Sequence, residues 1–204
     1  MKWMLSILLL APALFGAGGP SLFYSKSFPG SIPPYFQVSV DKTGQVSYAE
    51  EPDDADPVRF QLPEQDVNKL FSLADKLDHF KRPVAGNAKV AFMGDKLLRY
   101  QDGAEKTETK YNYTDDASAR DLTDWFERIG ESARYKLDLE KSAKYDKLGV
   151  FKSLANVREA LEQKRLVAPE QYLPTLDRIA KNQSYMHAAR ERAAEIAESI
   201  RNPK

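Results

Sequence analysis

The stretch YFQVSVDKTGQVSYAE, Tyr35 to Glu50, constrains the fold of this chain more than any other. Phe36, Val38 and Val40 recur at period two, as on one face of a strand, while Gln37 and Ser39 take the other face. After Lys42-Thr43-Gly44 the apolar face resumes with Val46 and Tyr48. A loop of those residues with Gly44 at positive φ pairs Asp41 with Gln45. Val40 then faces Val46, and Val38 faces Tyr48. A hairpin with one apolar face is the wall of a core, and other elements must cover it.

Strands and helices follow in blocks. Leu22 to Phe28 reads as a strand, and Val58, Phe60 and Leu62 extend the β pattern beyond the acidic stretch EEPDDADP. Pro63 suits the first position of a helix, with Glu64 and Asp66 near its positive end. Val67, Leu70, Phe71, Ala74 and Leu77 recur at helical spacing and predict an amphipathic helix to about Leu77. Lys89–Met93, Lys96–Gln101 and Glu105–Tyr113, separated by Gly94-Asp95 and Asp102-Gly103, read as a three-stranded meander. Its expected core face is Thr107, Thr109, Tyr111 and Tyr113. Asp115, Asp116 and Ser118 then open a helix over 117–129, with Leu122, Trp125, Phe126 and Ile129 on its apolar side.

Beyond Gly130 the chain becomes charged and helical. Ala143, Val150, Leu154, Val157 and Leu161 keep helical spacing, Leu148 and Phe151 widen the stripe, and burial is expected for the stripe. Pro169 starts a helix carrying Tyr172, Leu176 and Ile179, with Pro174 expected to kink its first turns. Tyr185 to Ile200 is a final helix. YLPTLDRIAKNQSYMHAARERAAEIAESI resembles a single unit of a HEAT-type repeat. One unit cannot bury a solenoid core, which leaves a packed helical hairpin or bundle. The expected fold class is α+β: an antiparallel sheet with helices on one face, followed by an all-helical C-terminal region. The expected divisions are 1–18, 19–130 and 131–204.

The first division carries an address. Lys2 precedes an apolar run from Trp3 to Phe15, and the small residues Gly16 to Gly19 follow. That order predicts a signal peptide cut around Ala17 to Gly19, and hence a secreted or periplasmic protein without a stable membrane anchor after cleavage. An uncleaved anchor or a buried helix is the alternative. The chain has no cysteine, which excludes disulfides, thiolate metal sites and a cysteine nucleophile. Thirty basic residues balance thirty acidic ones, so net charge leaves no footprint for nucleic acid or an anionic membrane.

Gly30, Ser31, Pro33 and Tyr35, followed by Gly44, Val46 and Tyr48, resemble a family of exported bacterial domains of unknown function. Its pattern runs G-[S/T]-x-P-x-Y-x-V, a turn glycine, then V-x-Y, followed by a helix and more strands. Many relatives flank the first glycine with two cysteines, whose places here hold Phe28 and Ile32. The resemblance covers the first half of the chain and implies an exported domain with no redox role and no established activity.

Candidate chemistry is sparse. The two histidines are His79, expected as a partly exposed residue at a helix end, and His187, at the start of the last helix. Glu50, Glu51, Asp53, Asp54 and Asp56 offer oxygen ligands, but without the glycine-punctuated order of a calcium loop they read first as a solvated connection. No cofactor or metal is expected. The loop SFPGSIPP is apolar and rich in proline, so it either packs under the sheet edge or presents a rigid contact surface through Phe28, Pro29, Ile32, Pro33 and Pro34. The function expected is an exported, non-catalytic binding module with a protein partner at that loop or at the helical tail. An envelope hydrolase with paired carboxylates is the alternative, and a calcium-stabilised surface protein a weaker one.

Overall fold

The structure is a computed structural model that describes residues 19–203. The export segment expected at 1–18 lies outside those residues. Six strands form one antiparallel sheet in the order β4-β3-β2-β1-β5-β6. They are β1 (Ser21–Ser27), β2 (Tyr35–Asp41), β3 (Gln45–Ala49), β4 (Val58–Gln61), β5 (Asp95–Asp102) and β6 (Glu105–Tyr111). The helices are α1 (Glu64–Lys76), α2 (Ala117–Tyr145), α3 (Val150–Glu162), α4 (Leu173–Lys181) and α5 (His187–Arg201). The class is α+β.

The β2–β3 hairpin takes the expected register, Val40 opposite Val46 and Val38 opposite Tyr48. Asp41 Oδ1 accepts from the backbone N–H groups of Thr43 and Gln45 at 2.9 and 3.0 Å, which pins the turn. Gly44 has φ +86°, and a Cβ there would lie 2.9 Å from both Leu62 O and Val67 Cγ2. The turn therefore needs glycine for its backbone and for its fit beneath α1.

Alternation sends Leu22, Tyr24, Val38, Val40, Val46, Tyr48, Leu98, Tyr100 and Tyr111 to one buried face of the sheet. There they meet Leu70, Phe71 and Leu77 at α1 and Leu122, Phe126 and Ile129 of α2. Pro63 is the residue before α1, one place earlier than expected.

Several expectations about chain course are corrected. Lys89–Met93 is not a strand: β5 starts at Asp95, pairs with β1 and β6, and the meander reduces to the β5–β6 hairpin. Val90 and Phe92 alternate properly but lie outside the core and stay about half exposed. The hairpin closes at Gly103-Ala104, since Asp102 pairs with Glu105.

The helix expected over 117–129 continues to Tyr145, roughly 44 Å in all. Gly130 is no stop. A Cβ there would sit 2.9 Å from the Phe36 ring, so glycine admits a close approach of α2 to β2. Two apolar cores consequently share one helix, the first using α2 up to Ala133 and the second from Leu139 onward.

Leu148 is also corrected. It stands 76 % exposed in the turn between α2 and α3, off the stripe that buries Val150, Leu154 and Val157. Pro174 does not kink a helix; a short 3-10 turn at 169–172 precedes it, and it lies in the first turn of α4, where its missing N–H has no partner to lose. The link into that turn is fastened to α2: Ser132 Oγ accepts from Val167 N at 2.8 Å, and the Tyr172 hydroxyl donates to Ser132 O at 2.5 Å.

Candidate functional site

The loop between β1 and β2 is held by its own polar atoms. Phe28 N–H donates to Pro34 O at 2.8 Å, and the Ser31 hydroxyl lies 2.7 Å from both Phe28 O and Pro33 O. Gly30 takes φ +89°, and the Ile32–Pro33 peptide is cis. From α2, the Arg134 guanidinium donates to Ile32 O and ties the loop to the helix.

The five predicted contact residues do not share one place. Ile32 and Pro33 line a cleft of about 230 Å³ against α2, together with Lys26, Phe36, Tyr48, Glu127, Glu131 and Arg134. Phe28 instead meets Phe92 edge-on, ring centroids 5.7 Å apart. Pro29 and Pro34 are exposed. Beside Phe28, the 90–93 segment leaves Phe92 and Met93 about half exposed, at 51 % and 50 %. Asn112 anchors that segment, accepting from Met93 N–H and donating to Ala91 O.

Charges in the cleft are matched. Glu127 Oε1 accepts from Lys26 Nζ at 2.8 Å and from the Tyr24 hydroxyl at 3.2 Å. Glu131 accepts from Arg165 Nε at 2.7 Å. Burial, helped by the Glu127 charge, pushes the Tyr24 hydroxyl well above its ordinary range, and Tyr48 rises through burial and its bond to Glu50. Next to Lys26 on the sheet, Lys96 is buried with its ammonium donating to Met93 O at 2.9 Å and Asn112 O at 2.8 Å. Burial and then the Lys26 charge pull its pKa down. The cleft thus offers oriented polar groups and an apolar wall, with both carboxylates already engaged.

Of the cleft's lining, Ile32 and Pro33 are among the residues singled out from the sequence. Lys26, Glu127, Glu131 and Arg134 were missed, although Glu127, Glu131 and Arg134 recur at helical spacing on one face. That signal needed α2 to continue past Gly130. The second missed group, Val90, Phe92 and Met93, was hidden by its assignment to a strand.

The histidines lie elsewhere. His79 stacks on Tyr100 at 4.0 Å with Nε2 2.7 Å from Asp75 Oδ1, in a left-handed turn over Asp78 to Phe80. His187 is exposed and paired with Glu191 at 3.0 Å. Among the described residues no group of three or more His, Asp or Glu is placed to hold a metal ion, and no helix is long and apolar enough to cross a membrane. In the acidic run, Glu50 accepts from the Tyr48 hydroxyl and Asp54 caps Asp56 N.

No protein-family model matches the chain, and no curated protein matches it.

Proposed function

We propose that this chain is an exported, non-catalytic binding module whose contact surface is the 28–34 loop with the 90–93 segment beside it. The observation that carries the reading is the exposed apolar set at one end of the sheet: Ile32 at 79 % with Phe92 and Met93. These side chains project from backbone held by the Ser31, Arg134 and Asn112 bonds. Docking a partner there costs little ordering entropy, and an apolar protein surface is the partner it suits. Export rests on Lys2, the apolar run and the small residues after it, and on the resemblance of the hairpin to exported domains.

A photo-reactive residue at Phe92 or Ile32, expressed in the native host, tests the surface. A discrete cross-linked adduct is expected from both positions and none from Lys106 on β6. Equal labelling from Lys106, or no adduct at either site, defeats the reading.

One observation favours the alternative hydrolase: Glu127 and Glu131 share a cleft. Against it, each is held by a cation. Hydrolytic activity lost in Glu127→Gln with the fold intact would reverse the preference.

A further inference from the structure

Overall neutrality conceals a local asymmetry in the helical half. At the end of α2, Tyr145 is 75 % exposed, and Leu148 follows at 76 % on the apex of the turn. Lys144 Nζ lies over the Tyr145 ring at 4.9 Å, and the rest of that ring and the Leu148 side chain stay open to solvent. The turn itself is firm: Asp146 Oδ1 accepts from Gly149 N–H at 2.9 Å, and Val150 N–H donates to Asp146 O at 3.2 Å. Exposed apolar side chains are common one at a time; what sets this turn apart is that its apolar point stands among cations.

The surroundings of the tip are basic. Lys144, Lys147 and Lys152 are exposed around it, with Asp146 the only acid between Lys144 and Lys152, its carboxylate turned onto the Gly149 amide. Lys147 reaches over the Tyr185 ring at 5.9 Å, and Arg178 joins Lys144 and Tyr185 in a surface hollow beside the tip. Glu140 also faces that hollow but is paired with Lys136 at 3.0 Å. The acidic 50–56 loop lies against Leu137 and Lys141, farther back along α2. The helix end therefore presents cations at its tip and anions behind it.

We infer that the α2–α3 turn docks on an anionic phospholipid surface, with Leu148 and Tyr145 entering the interface and Lys144, Lys147 and Lys152 meeting the phosphates. An apolar point ringed by ammonium groups matches a lipid headgroup layer, which has anions outside and hydrocarbon beneath. Tyrosine favours that boundary, and lysine stems reach along it while their charges stay wet. The acidic loop turns the rest of the molecule away from such a surface, so docking is tip first. This contact is peripheral and stands on residues separate from the binding surface proposed above.

The absence of cysteine makes the test direct. In the full chain, Leu148→Cys carries an environment-sensitive fluorophore at a unique place, and Lys106→Cys carries the same label on the sheet as a control. With vesicles of phosphatidylcholine containing phosphatidylglycerol, the label at position 148 shifts to the blue and the one at 106 does not. Pure phosphatidylcholine gives little shift, and high salt weakens the response. Adding Lys144→Glu and Lys147→Glu to the labelled chain lowers apparent vesicle affinity by on the order of 25-fold or more, with unchanged circular dichroism. No shift at position 148, or an equal shift with neutral vesicles, overturns the inference. A shift that rises with protein concentration without lipid would point to a second copy instead, and one produced by polyglutamate alone to an acidic protein partner; either result also overturns it.

Discussion

The two halves of α2 keep different company. Up to Ala133 the helix lies on a sheet, and the space between them holds Leu122, Phe126 and Ile129 against Tyr24, Val38 and Tyr48. From Leu139 onward its neighbours are helices, and Ala143, Ala160, Ala189, Ala193 and Ala197 recur in the second core. Large rings fill the wide gap over a pleated surface, whereas alanine lets helix axes approach. One continuous helix thus serves two packing regimes, and each regime fails in its own way: the first by losing volume, the second by gaining it.

Phe126→Ala should have the largest effect. Its ring stacks on Tyr24 with centroids 5.3 Å apart and is fully buried, so truncation should cost about 3–5 kcal/mol in urea unfolding. Ala193→Leu probes the other regime. Ala193 is wholly buried on α5, which packs on α3 and α4, and the added atoms should cost about 1–3 kcal/mol. A Leu variant as stable as the parent would mean that the second core is loosely filled, and the contrast between the cores would collapse.

Gly130→Ala sharpens the comparison at the changeover. In an ordinary helix interior this change stabilises by about 1 kcal/mol. Here the new methyl would meet the Phe36 ring at 2.9 Å, so the sign should reverse, with a net loss of about 1–2 kcal/mol. A gain in thermal midpoint would show that α2 does not approach β2 closely.

What the residues revealed in advance depended on whether their partners were close in sequence. The register of β2 on β3 was legible because Val40, Val46 and the turn that aligns them lie within one short stretch. The role of Gly130 was not, because a glycine in a helical pattern serves equally as a stop or as a close contact. The deciding ring, Phe36, belongs to another element. Val90 and Phe92 carried a strand's alternation beyond the last strand able to bury them. Leu148 fitted a stripe in sequence, but Asp146 ends α2 before the stripe reaches it. At the candidate site, the proline loop announced Ile32 and Pro33 by composition alone. Its partners Glu131 and Arg134 lie past Gly130, so their alignment with Glu127 became visible only with a helix that outlasts it.

The smallest expected effect lies at the start of α2, where the sheet half is capped by a charge. Asp116 Oδ1 accepts from Ser118 N–H at 2.9 Å and Ala119 N–H at 3.2 Å, and Oδ2 lies 3.1 Å from the Arg82 guanidinium. Burial works to raise this carboxyl, but the Ala119 amide, Arg82 and the Ser118 amide outweigh it and hold its pKa below the usual aspartate range. A depressed carboxylate contributes stability that is present above its unfolded value, near pH 4, and lost as pH falls through the folded value. The Arg82 side chain is about half exposed, so most of the contribution belongs to the cap and little to the ion pair. Asp116→Ala should therefore cost about 1 kcal/mol at neutral pH, and its difference from the parent should shrink once the pH falls below about 4. Paired urea titrations at neutral and acidic pH measure both quantities. An equal difference at the two pH values would mean that the ionised carboxylate does not cap α2, and that the sheet half starts its shared helix by packing alone.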